Sequence, residues 1–321
     1  MLKHCFLVDV FLVSLLSLSL GAGVVFGQGY PDRPIRIVTA APGGGNDAAS
    51  RIIAQGISGP LGQAVIVENR PSLIAKEIAA KALPDGYTLY VVGNLLWTGP
   101  LLQNKLYDPL TEFSPITLVA SRPFILVAHP SVPVNSVKEF IALAKARPGE
   151  FNIAGTTPGS DGHLAAELLK SMTGINVVVV PYAGGGPALI GLVSGQSQLL
   201  FSETSSIIPH VKSGRLKVLA VSSLQPSTLY PGLPTVAASV PGFEIIGITG
   251  AYAPIKTPAA VINQRNRDIV RFLKSPEGTE RFLVKGDEVV GSSPEELVAK
   301  IKSTVPKYAK LIKDLGIRVK E

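Results

Sequence analysis

Apolar and polar positions follow two alternating rhythms along this chain. Short runs rich in β-branched residues, at 34–39, 64–67, 87–92, 116–119, 124–128, 151–154, 176–180, 197–201 and 216–221, read as strands. Between them, apolar spacings of three and four residues predict helices over 47–57 (Ile52, Ile53, Ile57), 73–83, 137–146, 164–172 and 187–193. Strands separated by helices specify an α/β fold with largely parallel sheets. Ser136 with Glu139 matches a capping box, in which the serine satisfies an orphan backbone N–H. Ser293-Pro294-Glu295-Glu296 repeats it with proline in the first turn, where a missing N–H costs nothing. Thr257-Pro258 and Ser275-Pro276 mark two more starts, so 258–315 is expected to be mostly helical. With no internal repeat or low-complexity linker, a division has to come from topology, and 121–133 and 247–254 are the best crossing points.

The first 27 residues belong to a different pattern. Lys3 and His4 precede an apolar stretch from Phe6 to Leu20, and Val25-Phe26-Gly27-Gln28 closes it with a cleavage context between Gly27 and Gln28. This is the grammar of a secretory signal peptide, with an uncleaved anchor as the alternative because Asp9 interrupts the run. No later run approaches the ~20 apolar residues of a membrane helix, so a soluble, exported mature protein is expected. The single cysteine, Cys5, falls in the signal, which excludes disulfides and cysteine-ligated zinc from the mature chain. Hydrophobic residues at 46% against 17% charged predict a sizeable core, and 321 residues suffice for two medium domains. The net charge of +7 is unchanged by removing the signal and favours anionic solutes. Lysines and arginines are scattered, without the basic patch and stacking aromatics that nucleic acid requires.

Candidate chemistry sits in three glycine-rich turns between strands and helices. The first is Pro42-Gly43-Gly44-Gly45-Asn46-Asp47, where backbone N–H groups at a helix start make a ready anion site. The second runs from Gly155 to Gly162 and carries Thr156, Thr157, Gly159, Ser160 and Asp161, with His163 following. The third holds Tyr182, Gly184 and Gly185. Ligands of open α/β sheets bind at the carboxyl ends of strands, where all three lie. Two enzymatic readings compete. Gly43-x-Gly45-x-x-Ala48, with Glu68 about 20 residues on, imitates a dinucleotide fingerprint. Ser160 with Asp161 and His163 would supply a hydrolase, although residues so close in sequence rarely converge as a triad and no Gly-x-Ser-x-Gly elbow is present. His163 and Glu167 share a helical face that permits metal ligation, but a structural histidine is the commoner role. Trp97 and Tyr107 read as packing residues, with Trp97 near enough to a strand end to line a pocket.

A longer series of motifs carries a family resemblance. It comprises Tyr30-Pro-Asp-Arg-Pro-Ile-Arg-Ile-Val38, the Pro-Gly-Gly turn ending in Asp47, Leu61-Gly-Gln, Val67-Glu-Asn-Arg-Pro71, Pro84-Asp-Gly-Tyr-Thr-Leu89 and Tyr107-Asp-Pro109. His163-Leu-Ala-Ala-Glu-Leu168, Val180-Pro-Tyr182, Pro187-Ala-Leu189, Leu219-Ala-Val221, Leu233-Pro-Thr-Val236 and Pro241-Gly-Phe243 follow in order. The chain thereby resembles the Bug proteins, the TctC-like periplasmic receptors of tripartite tricarboxylate transporters. The resemblance implies an α/β, two-domain periplasmic-binding-protein fold (Venus-flytrap, type II-like) with two interdomain crossovers. Residues 1–27 would be the signal peptide, 28–127 plus 250–321 the first domain with its C-terminal helical return, and 128–249 the second. It further implies a monomeric, non-enzymatic receptor, without cofactor or metal, that captures a di- or tricarboxylate, amino acid or aromatic acid for integral-membrane permease subunits. By resemblance the Pro42–Asp47 turn holds a ligand carboxylate, the second turn contributes from the other domain, and Tyr182, Gly184, Gly185, Ser202, Glu203 and Ser205 complete the pocket, with Asn94 counted among the cleft residues. Two departures stand out. The glycine-rich loop usual after Glu-Asn-Arg-Pro is shortened here, Pro71 running straight into Ser72-Leu73-Ile74, and Asp161 stands where Ser or Thr is expected. A carboxylate there would repel an anionic ligand unless protonated or paired, which leaves open a ligand with a cationic or neutral group, an Asp161 that points outward, or a pseudo-receptor that no longer binds.

Overall fold

The continuous apolar run TLYVVG is a strand buried at every position, as expected of a sheet covered on both faces. The computed structural model describes residues 29–317, apart from 41, 104–107 and 228. The signal segment 1–27 and Tyr107 therefore lie outside the described residues. From Arg33 onward the chain is one compact unit that contains two sheets.

The first sheet has the order β11-β4-β10-β3-β1-β2. Its strands are β1 (Ile35–Thr39), β2 (Val65–Asn69), β3 (Thr88–Gly93), β4 (Phe113–Pro123), β10 (Ile246–Pro254) and β11 (Glu288–Val289). The first three run parallel, joined by helices α1 (Gly45–Leu61) and α2 (Ser72–Ala80), while β10 lies antiparallel between β3 and β4. The second sheet has the order β7-β6-β8-β5-β9, from β5 (Ile125–Ala128), β6 (Asn152–Gly155), β7 (Val178–Pro181), β8 (Leu199–Ser202) and β9 (Lys217–Val221). Here β6, β7 and β8 are parallel and β5 is antiparallel to both its neighbours. The chain thus leaves the first sheet between Pro123 and Ile125, and returns to it between Val221 and Ile246.

Alternation sorts the core onto both faces of each sheet. In β1, Ile35 and Ile37 pack under α1 and α8 (Ala259–Leu273), whereas Val38 faces α2 and Trp97 of α3 (Leu95–Leu102). The second sheet packs one face against α4 (Val137–Ala146) and α5 (Asp161–Thr173), and the other against α6 (Gly185–Val193) and α7 (Thr204–Lys212). After α9 (Pro276–Leu283) comes the last helix, α10 (Pro294–Asp314), whose capping box closes as the sequence predicts. Its apolar stripe serves both halves: Leu297 and Ile301 join the first sheet's core, Tyr308 and Ile312 the second's.

Four elements escape the sequence reading, among them the short edge strand β11, which lies in the stretch expected to be mostly helical. Strand β10 lies in a stretch read only as a crossing point. It carries Gly247 and Gly250, weak strand formers, and its ladder shifts register at Gly250 and again at Tyr252. Helices α3 and α7 contain Pro100 and Pro209, and α3 begins directly after β3 with no loop signal. The pairing of Phe201 on β8 with Phe243, stacked at 5.7 Å and both fully buried, ties the return segment to the strand that ends beside Glu203. Phe243→Ala is expected to cost about 3–5 kcal/mol in urea denaturation. A loss below ~1 kcal/mol would show that this stack does not anchor the segment.

Candidate functional site

The first turn is held from beneath by Asp47. Its Oδ2 accepts from the Gly43 N–H at 3.0 Å, and its Oδ1 from Arg51 Nε and Asn69 Nδ2, each at 2.9 Å. Burial alone would raise this carboxyl; the bonds from Gly43 and Asn69, with the charge of Arg51, outweigh it and hold it below the ordinary value. Asn69 also donates to the Ala40 carbonyl. Asn69, the last residue of β2, therefore buttresses the turn, and both oxygens of Asp47 are engaged within it. Gly43, at φ 88°, needs the left-handed region, and among the described residues nothing lies within 4 Å of a Cβ placed on Gly43 or Gly44. Beside it, Asn46 Oδ1 accepts a long bond from Thr249 of β10.

Gly45 is crowded instead. A Cβ there would stand 2.5 Å from Arg122 Nη2 and 3.1 Å from Glu203 Oε1. Arg122, near the end of β4, is buried; its Nη1 donates to Asp287 Oδ1 at 2.9 Å, and its Nε lies 3.3 Å from Glu203 Oε1. Burial alone would lower the guanidinium pKa, but Glu203, Asp287 and, further off, Asp161 raise it well beyond its ordinary value. Glu203 caps the start of α7 on the second sheet, so this contact joins the two halves across the mouth of the first turn.

A second contact crosses beside it. Asp161, in the first turn of α5, accepts at Oδ1 from Asn94 Nδ2 (2.8 Å) and from the Tyr308 hydroxyl of α10 (3.1 Å). Asn94 Nδ2 also reaches the Ile246 carbonyl. Burial pushes the Asp161 carboxyl up to about 6, with Asn94, Tyr308 and Arg122 pulling against it and Glu203 adding to it. Its side chain thus neither turns to solvent nor stands unpaired.

The rest of the second turn is bonded to itself. Thr156 and Ser160 pair through their hydroxyls, Gly159 N–H donates to His163 Nδ1 at 3.2 Å, and burial lowers the His163 pKa. Thr157 is exposed. Gly159 has φ 79°, and a Cβ there would fall 2.0 Å from Leu102 of α3. In the third turn, Gly184 and Gly185 border open space, while the Tyr182 hydroxyl leans on α6 at Gly191 and contacts Ser197. Ser202 bonds Ser206 within α7, and the Ser205 side chain lies outside what the structure describes.

The first turn, Asn94, Asp161 and Glu203 therefore converge, whereas Tyr182 packs back into its own half. Ser160 and His163 have separate partners, so no nucleophile–base pair forms between them. Glu68 is taken by Arg36 and Arg70 at 3.1 and 2.9 Å, away from any ribose-binding role. Among the described residues no three His, Cys, Asp or Glu side chains gather as metal ligands.

Similarity places this geometry among known proteins. The family model for the "Tripartite tricarboxylate transporter family receptor" matches residues 49–317. Protein BugT of Bordetella pertussis is 33% identical, over 93% of this chain and 94% of its own length. The chain belongs to the TctC receptor family. Among solved structures, R. palustris Rpa4515 with adipate superposes with a TM-score of 0.82 at 32% identity, covering 90% of this chain and 99% of that one. MatC from Rhodopseudomonas palustris with bound malate gives 0.77 at 26% identity, over 88% and 100%. The periplasmic binding protein BugD gives 0.79 at 33%, over 90% and 99%. The two-domain periplasmic-binding-protein architecture, with the chain crossing twice, is thus that of this TctC receptor.

Three site residues of this TctC receptor are missed by sequence reasoning: Arg122, Asp287 and Tyr308. A signal for Arg122 exists, a lone charge between the apolar runs 116–120 and 124–128, since a charge buried there needs a partner. Nothing local marks Asp287 or Tyr308, which lie 165 residues from Arg122 and 147 from Asp161. The shortened loop after Pro71 is explained locally: α2 starts at Ser72, with Pro71 at its cap.

The raised Asp161 carboxyl sets a pH dependence. Between about pH 4 and 6 the folded state keeps a proton that the unfolded chain has released, so this group favours folding as pH falls. The stability of wild type relative to Asp161→Asn should rise by roughly 2 kcal/mol between about pH 7.5 and 4.5, read from urea melts at each pH. An unchanged difference would place the carboxyl in an ordinary environment.

Proposed function

We propose that this protein is an exported periplasmic receptor that captures a small carboxylate-bearing solute between its two lobes and delivers it to a membrane permease. The observation that carries the reading is the open start of α1, where Gly43 and Gly44 leave room for a ligand against the N-terminal amides of the helix. The family supports it, as do two structural neighbours, Rpa4515 with adipate and MatC with bound malate.

In this reading residues 1–27 are a cleaved signal, one lobe is 28–127 plus 250–321, and the other is 128–249. The backbone at Gly44, Gly45 and Asn46 cradles the carboxylate, with Pro42, Gly43 and Asp47 shaping the turn. Asn94, Asp161 and Glu203 line the cleft, while the turns carrying Thr156, Thr157, Gly159, Ser160 and His163 and Gly184 and Gly185 form the opposing wall. The protein works as a monomer without catalysis, closing by hinge motion of one lobe on the other and presenting the enclosed solute to permease subunits.

Thermal-shift measurements against a panel of organic acids test this. A ligand at about 100 times its Kd should stabilise the fold by about 2.7 kcal/mol. Gly44→Val, whose backbone is extended at φ −89° and whose side chain enters open space, should fold normally yet bind at least about tenfold more weakly. Silence toward every carboxylate, or undiminished binding by the valine variant, would overturn the proposal.

A further inference from the structure

The charges around the candidate cradle do not suit a plain dianion. Arg122 is the cation at this site, and its Nη1 is already paired with the buried carboxylate of Asp287 at 2.9 Å. On the same guanidinium, Nε lies 3.3 Å from Glu203 Oε1. Asp161 adds a third carboxylate that acts on both Arg122 and Glu203. Among the described residues the Arg122 guanidinium thus stands against Glu203, Asp287 and Asp161, with Lys285 acting on Asp287, before any ligand arrives. The α1 N-terminus can offset one incoming carboxylate through its amides and dipole. A second carboxylate would meet Glu203 and Asp161, with Arg122 Nη1 already paired to Asp287.

An independent observation points the same way. The Asn94 amide that donates Nδ2 to Asp161 has its other atom, Oδ1, buried as an acceptor without a hydrogen-bond partner, in a residue only 3% exposed. The orientation of the amide is fixed, because Nδ2 faces two acceptors, the Asp161 carboxylate and the Ile246 carbonyl. Buried polar atoms are rarely left unmatched. Both donors to Asp161 reach Oδ1, so Oδ2 is the oxygen an incoming donor would meet. Arg122 Nε is a buried donor without an acceptor and suits the solute's carboxylate, whereas beside Asn94 and Asp161 the missing group is a donor and the charge calls for a cation.

We infer that the captured solute carries an ammonium group in addition to its carboxylate, the carboxylate lying on the α1 turn and the ammonium received by Asp161 and Glu203. The favoured class is the amino acid or amino-acid-like zwitterion, and the disfavoured one the simple dicarboxylate. This rests on the receptor reading above and narrows it. An ammonium has three donors and no acceptor, which matches a carboxylate and an amide oxygen without opposition. Glu203, half-exposed at the cap of α7, is the residue most able to adjust to it.

The test is a calorimetric and thermal-shift comparison on the full mature protein. The probes are dicarboxylates of three to six carbons against α- and ω-amino acids of the same chain length. At least one amino acid should bind ten or more times tighter than the dicarboxylate of its length. Glu203→Gln and Asp161→Asn should each erode that preference by about tenfold or more, improving the dicarboxylate relative to the amino acid. Equal or tighter binding of the dicarboxylates by wild type would overturn the inference and leave the receptor reading intact. Binding of neither set, nor of any other carboxylate, would overturn both. Should a variant fail to fold, the paired comparison on wild type decides alone. An amino-acid preference that survives both substitutions would remove Asp161 and Glu203 as its source and overturn the assignment.

Discussion

A guanidinium sealed inside a protein has to be matched by charge, and the arrangement of this cleft follows from where Arg122 finds its matches. Its pair with Asp287 joins the end of β4 to the segment entering β11, within the first lobe. Its contact with Glu203 joins the same strand end to the other sheet. Removing either pair's partner would leave a buried charge exposed to a low-dielectric surrounding, which is why such residues are rarely dispensable even when the pair itself contributes little net stability. Arg122 also stands one residue before the chain switches sheets, so the ion pair sits beside a crossing between them.

Around this pair the glycines have separate reasons. Gly45 is required because the guanidinium lies flat where a side chain would start, whereas Gly43 is required by its left-handed backbone. Gly159 meets both demands, with positive φ and Leu102 of α3 against it. Close approach of backbone to backbone or side chain, and access for a ligand, thus share one turn chemistry.

Asp161 gives the cleft its individual character. Set at the start of α5, it is bonded to Asn94 at the end of β3 and to Tyr308 on α10, so three segments distant in sequence meet on one carboxylate. Helix α10 can supply Tyr308 because its stripe runs from the first core into the second, which makes the C-terminal helix a strut across both lobes. The cost of burying that carboxylate is distributed over two donors and a nearby cation, and it still titrates nearly in the physiological range.

Most of the scaffold was legible from sequence, because strands and helices are written in short-range periodicity. The alternating runs, the capping boxes at Ser136 and Ser293, and the glycine turns at 43–45 and 155–162 all depend on neighbours a few residues away. The family followed from motifs spread along the chain. What sequence concealed were elements whose local propensity is poor: β10 with its two glycines, and the proline-bearing α3 and α7, which burial stabilises in spite of composition. It also concealed the partners of Arg122 and Asp161. Asp287 and Tyr308 are ordinary residues in their own segments, and nothing in local pattern encodes a meeting across 165 or 147 positions. Periodicity determined which elements form and where the glycine turns fall; only packing of the two sheets and α10 decided which charges face the first turn, because electrostatic pairing is set by distance in space.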